Sequence, residues 1–77
     1  MADYYKRVEG EFLNFSVMFE DGVEISFSDD YDEDQDEEWV CATLYHNGYE
    51  IDNYWKEGLN HTWYFEYNGN SYIVDTL

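Results

Sequence analysis

The chain contains no proline and only one cysteine. Without proline, no position is barred from donating to a β-ladder, so strands can run without interruption. A lone cysteine excludes an internal disulfide, and Cys41 falls in an alternating segment where it reads as a strand residue, not a redox centre. Basic residues are nearly as scarce: Lys6, Arg7 and Lys56 stand against 19 acids, for a formal charge of −16. Such a surface repels nucleic acid and anionic lipid, so any electrostatic partner must be basic. No apolar run is long enough to span a bilayer, and residues 1–10 lack the apolar core of a signal peptide; the expected location is the cytoplasm. Helical periodicity is also missing, since no apolar spacing of three and four persists over three turns.

What the chain does have is aromatic bulk. Three Trp, nine Tyr and five Phe are spread along 77 residues, and apolar residues make up 44%. Disordered acidic chains combine high charge with few apolar groups, and this one does not. Side chains that each bury ~150–250 Å² can build a core in a short chain. A single domain over residues 1–77 is expected, with modest stability: a chain of about 60 residues buries only ~60% of its unfolded surface, and the charges repel one another at low salt.

Alternating apolar segments separated by turn signals define the organisation. Leu13, Phe15, Val17 and Phe19 alternate with polar neighbours; Glu20-Asp21-Gly22 turns the chain into Val23, Ile25 and Phe27. Val40, Ala42 and Leu44 lead to Asn47-Gly48, a strong type I′ hairpin signal, after which Tyr49, Ile51 and Trp55 are the expected inward residues. A loop from Lys56 to Asn60 precedes Trp63, Phe65 and Tyr67. Asn68-Gly69 closes a third hairpin, completed by Ser71 to Leu77, whose inward face Tyr72, Ile73 and Val74 leave ambiguous. The expected fold is all-β: five to six antiparallel strands in three hairpins, forming a curved sheet or small open barrel. A short helical turn over residues 3–8 is a further expectation. The hairpins share turn chemistry but no longer repeat.

Eight of the ten residues from Asp29 to Glu38 are acids. Bounded by strands, the segment reads as a loop or short helical insertion. Three readings compete for it. A solvated loop that aids solubility is the plainest. A calcium loop is suggested by Asp30, Asp32 and Asp34 at alternate positions, but Gln35 stands where an EF-hand requires Gly and Cys41 where it requires Glu. The third is phosphate mimicry, with Asp29, Asp30, Asp32, Glu33, Asp34, Asp36, Glu37 and Glu38 as the contacting acids and Tyr31 and Trp39 anchoring the ends. Further acids are expected on the solvent face of the sheet: Glu24, Glu66, and Glu50 with Asp52, which at two residues apart would lie ~6.6–6.8 Å from each other on one face. Tyr31, Tyr45, Tyr54 and Tyr64 are expected on the exposed side, available to a partner's arginines.

In charge, size and the acidic run from Asp29 to Glu38, the chain resembles small phage-encoded DNA-mimic proteins, a class that includes anti-CRISPR proteins, anti-restriction proteins and inhibitors of DNA repair. The resemblance covers composition over the whole chain and no motif, so no family residue is carried across by position. It implies a mechanism. The inhibitor occupies the basic groove of a DNA-handling enzyme or ribonucleoprotein complex, such as the site where a CRISPR effector reads the motif flanking its target, and excludes the DNA. A restriction or repair enzyme is an alternative target within the class.

Other function classes find less support. His46 and His61 are candidate bases, yet neither has a nucleophile or metal-ligand spacing beside it, so no enzyme and no cofactor is expected. Trp39, Trp55 and Trp63 as sugar platforms fit poorly with the excess charge. An acidic structural or interaction domain, a calcium-binding protein and adaptation to high salt remain as alternatives.

Overall fold

The computed structural model describes residues 3–8, 14–58 and 60–76. Leu13, Leu59 and Leu77, assigned above to strand or loop positions, lie outside the described residues. Seven strands are present among the described residues: β1 (Asp3–Val8), β2 (Phe15–Met18), β3 (Val23–Asp32), β4 (Glu37–His46), β5 (Tyr49–Glu57), β6 (His61–Tyr67) and β7 (Asn70–Thr76). The all-β, mainly antiparallel expectation holds, and no helix occurs among the described residues. Two sheets replace the single curved sheet or open barrel: one of four strands, ordered β2-β3-β4-β5, and one of three, ordered β1-β7-β6.

The strand beyond the expected six is β1, over the residues read as a helical turn. It pairs in parallel with β7, Tyr4 beside Tyr72 and Lys6 beside Val74. Its inward phase is Tyr4, Lys6 and Val8. Lysine in the middle of that phase hides the alternation, but its stem can cover apolar surface, and the Lys6 amine lies 5.5 Å from the centre of the Phe19 ring. Tyr4 stacks on Tyr72, ring centres 5.1 Å apart.

Inward side chains of the two sheets form one core. Val17, Val23, Ile25, Phe27, Val40, Ala42 and Leu44 come from the four-stranded sheet and Trp63, Phe65, Tyr72 and Val74 from the three-stranded one; all are buried, with Phe19 at the edge of the β2–β3 turn. Tyr72 and Val74 thereby settle the ambiguous phase of β7. Trp63 lies at the centre. Its ring meets Phe27 edge-on at 5.4 Å and Tyr54 at 5.3 Å, and its indole N–H donates to Thr76 Oγ1 at 2.9 Å. The Thr76 hydroxyl in turn donates to the His61 carbonyl at 3.1 Å. At the other end of the core the buried Tyr72 hydroxyl donates to the Asp21 carboxylate, joining β7 to the β2–β3 turn.

Both Asn-Gly turns take the conformation the sequence indicates. Asn47 and Gly48 have φ of 51° and 87°, and Asn68 and Gly69 have 52° and 80°, the left-handed pairs of a type I′ turn. The β4–β5 hairpin departs from expectation in its phase. A register shift between Leu44 and Tyr45 leaves Leu44 opposite Asp52 and Tyr45 opposite Glu50, so Ile51 is an extra residue. A slip of one residue moves every later side chain to the other face. Tyr54 therefore turns inward against Trp63 and Phe65, while Ile51 and Trp55, expected inside, are exposed; Tyr49, ahead of the shift and opposite His46, keeps the inner phase but lies at the end of the hairpin beyond the core and is exposed as well.

Replacing Trp63 with Ala removes a large ring packed against both sheets and should cost about 3–5 kcal/mol, a large part of a small domain's stability; urea unfolding followed by circular dichroism measures it. Burial and the Asp21 bond push the Tyr72 hydroxyl up to about 12 from an unfolded value near 10. Below pH 10 its contribution is complete. Between about pH 10 and 12 the unfolded chain loses this proton while the folded one keeps it, so stability should fall as pH rises through that range. Urea midpoints for wild type and Tyr72→Phe, compared at increasing alkaline pH, should show the shallower decline in the variant.

Candidate interaction surface

Residues 29–38 form neither a loop nor a helix. They are the far end of the β3–β4 hairpin, with register pairs Asp29–Val40, Asp30–Trp39, Tyr31–Glu38 and Asp32–Glu37. Aspartate favours strands poorly, and like charges directly opposite destabilise a ladder. The pairing largely avoids that conflict: three of the four pairs set an acid against an apolar or aromatic residue, and only Asp32–Glu37 sets acid against acid. The ladder is continuous with Phe27–Ala42 in the core, so the acidic end inherits its register from buried residues.

A four-residue turn closes the hairpin at residues 33–36. The Asp34 N–H donates to the Asp32 carboxylate at 3.1 Å, a local bond typical of Asp in turns. Asp36 takes φ of 53°, a left-handed conformation Asp tolerates better than most residues. The Tyr31 hydroxyl donates to the Asp36 carboxylate across the turn, and the Trp39 indole N–H donates to Glu37 at 3.1 Å. Tyr31 and Trp39 thus hold the acidic end as the sequence reading proposed. That bond to Asp36 is the main reason the Tyr31 hydroxyl is raised above its ordinary range; the neutral phenol spends its one donor on Asp36.

The faces of the hairpin carry different side chains. Asp30, Asp32 and Glu37 lie on the outer face of the four-stranded sheet, together with Trp39 and, on β5, Trp55 and Glu57. Asp29, Tyr31 and Glu38 continue the inner phase beyond Phe27 and Val40, outside the buried core. Glu33, Asp34 and Asp36 are exposed at the turn. The three basic residues lie on β1 and β5, none of them within the hairpin. Lys56 is occupied at the core's edge: its amine lies 5.3 Å from the Trp63 ring and donates to the Thr62 carbonyl at 3.0 Å.

The other acids do not form the single row expected of them. Glu24 and Glu50 flank Tyr45 on the outer face of the four-stranded sheet. The register shift puts Asp52 opposite inward-facing Leu44, so Glu50 and Asp52 lie on opposite faces of the ladder. In keeping with this, Glu50 accepts a bond at 3.3 Å from Asn53, which sits opposite Thr43 on the outer face. Glu66 belongs to the other sheet and accepts a bond from Tyr64, which is the first cause raising that tyrosine's pKa. Of the four tyrosines expected outside, Tyr31 and Tyr64 are exposed, Tyr45 is half-buried, and Tyr54 packs inward. Burial is the main reason the Tyr54 hydroxyl is raised.

Trp55, expected inside from its place in the alternation, joins this surface instead. It is 49% exposed, pairs with Cys41 and stands diagonal to Trp39 on the outer face. With Asp30, Tyr31, Asp32, Glu33 and Trp39 it lines an open groove of about 450 Å³. Among the described residues, no three His, Cys, Asp or Glu side chains are grouped to hold a metal ion, and no helix is long and apolar enough to cross a membrane.

No family model matches the chain, and no curated protein or solved structure matches it.

Proposed function

We propose that this protein is an inhibitor that mimics double-stranded DNA and acts in the cytoplasm of a host cell. It occupies the basic DNA-binding groove of a CRISPR effector complex, at the site that reads the target-flanking motif, and blocks access of the target DNA. The observation that carries this reading is the acidic β-ribbon. Duplex DNA presents one phosphate charge on each strand per ~3.4 Å of rise, or one per ~1.7 Å overall. An antiparallel ribbon advances ~3.4 Å per residue on each of its two strands. Three register steps, about 10 Å, separate the Asp29–Val40 pair from Asp32–Glu37. Asp29, Asp30, Asp32, Glu37 and Glu38 fall within that length, one charge per ~2 Å, and Glu33, Asp34 and Asp36 continue the charge around the turn.

Order distinguishes this array from an acidic tail. A floppy segment loses binding energy in being ordered, whereas here the ladder, the Asp32–Asp34 bond and the Tyr31 and Trp39 contacts fix the carboxylates beforehand. Carboxylates pair with arginine in a two-pronged geometry, the same side chain that reads guanines in such a groove. The protein needs no catalytic group for this role, only a fixed charge pattern and a shape that fits.

Capture from bacterial lysate on the immobilised protein at moderate salt, followed by elution with duplex DNA, tests the reading. Recovery of a DNA-handling complex that DNA displaces supports it; a partner indifferent to DNA overturns it. Asp32 and Asp36 shape the turn, so the informative charge reversal spares them: Glu33→Lys with Asp34→Lys should weaken inhibition roughly tenfold or more while leaving the circular dichroism spectrum intact. Affinity for the captured target should also fall by roughly tenfold or more from about 0.05 M to about 0.5 M NaCl, as screening shortens the reach of the charges.

A further inference from the structure

The groove between the acidic ribbon and β5 has a composition that DNA mimicry by charge alone does not require. Trp39 and Trp55 form its aromatic wall, and Asp30 and Asp32 its acidic one. Asp30 is directly opposite Trp39 in the β3–β4 ladder, and Trp55 is one diagonal step away across β4 and β5. An aromatic face so placed is costly to leave in water, and 49% of Trp55 is exposed. The Trp39 ring is held in orientation by its bond to Glu37, so that part of the aromatic wall does not need to be ordered on binding.

We propose that this groove receives the side chain of one arginine from the basic partner, its guanidinium stacked against Trp39 or Trp55 and bonded to the carboxylates of Asp30 and Asp32. The inference deepens the function proposed above and rests on it for the source of the arginine; the groove's preference for guanidinium is testable without that partner. Three features select this chemistry. The negative rim demands a cation. Indole is the strongest aromatic partner for a cation, and a planar guanidinium both stacks on a ring and offers parallel donors to a carboxylate, which a lysine ammonium cannot do. The volume of about 450 Å³ lies within the range of small-ligand sites, ~300–1,000 Å³, ample for a single long side chain entering from an open surface.

A bound arginine here would also set the register of the complex. Carboxylates at the turn can slide along a basic groove, since each acid resembles the next. A single seated side chain removes that freedom, because only one position on the hairpin combines two indoles with two acids.

The test uses the intact protein and two probes of equal charge, a hexa-arginine and a hexa-lysine peptide, with the three indole N–H signals followed by NMR. Arginine peptide should shift the signals of Trp39 and Trp55 and leave that of buried Trp63 in place, and should bind at least ~3-fold more tightly than lysine peptide. Trp55→Ala, on an exposed edge-strand position, should remove that preference; Asp30→Asn should weaken arginine-peptide binding at least ~3-fold without loss of fold. Equal binding of the two peptides, or an arginine preference that survives Trp55→Ala, overturns the proposal. Its failure is separate from that of DNA mimicry. Displacement of a captured target by DNA, with no arginine preference in the groove, leaves mimicry standing and removes only the groove; an arginine preference with no DNA-competed target does the reverse.

Discussion

The packing of Trp63 between the two sheets is the contact on which the remaining architecture depends. Neither sheet can bury its own inner face, and β6 contributes Trp63, whose ring reaches Phe27 on β3 and Tyr54 on β5 at once. Its N–H would be a costly orphan in that position. The bond to Thr76 satisfies it, and the Thr76 bond to the His61 carbonyl ties the arrangement to the ends of β6 and β7. Lys56 lies over the same ring, so the edge of the core is covered by one of only three basic residues in the chain. With so little surface to bury, a small domain gains more from one large ring in contact with several partners than from scattered aliphatic contacts.

From this core the acidic hairpin follows as an extension of a ladder already paid for by buried residues. Isolated, a ten-residue segment with eight acids would stay unfolded. Joined to Phe27–Ala42 and Asp29–Val40, it continues an existing register, and the interleaving of Tyr31, Trp39 and Val40 among the acids keeps charges from facing each other except at the last pair. The same interleaving gives the aromatic and acidic groups of the groove their positions. Charge density and rigidity therefore have a common source in the alternation of side chains along β3 and β4.

Much of this was legible in the sequence where one residue type has one physical use. Asn47-Gly48 and Asn68-Gly69 admit few conformations other than a left-handed turn, and the inward runs Val23-Ile25-Phe27 and Val40-Ala42-Leu44 alternate without exception. The sequence shows the acidic segment and its anchors, Tyr31 and Trp39, but points to a loop or short helix there because aspartate argues against a strand and the ladder that overrides it is a long-range feature. β1 was obscured by Lys6 at an inward position. The phase of β5 was lost to one extra residue at Ile51, which no local pattern announces; with it went the placement of Asp52, Tyr54 and Trp55.

The parallel pairing of β1 with β7 has a consequence for how the chain acquires its shape. In the order β1-β7-β6, the strand latest in sequence is the middle one, and Tyr5 donates to Asp75 from 70 residues away. Until β7 is made, β1 and β6 have no neighbour in their sheet and Trp63 lacks Thr76. The four-stranded sheet, by contrast, is a run of consecutive hairpins, β2 to β5, that can zip locally. Contacts of such sequence separation are slow to form, so the acidic hairpin belongs to the half that forms early, and the sheet that covers its core closes last.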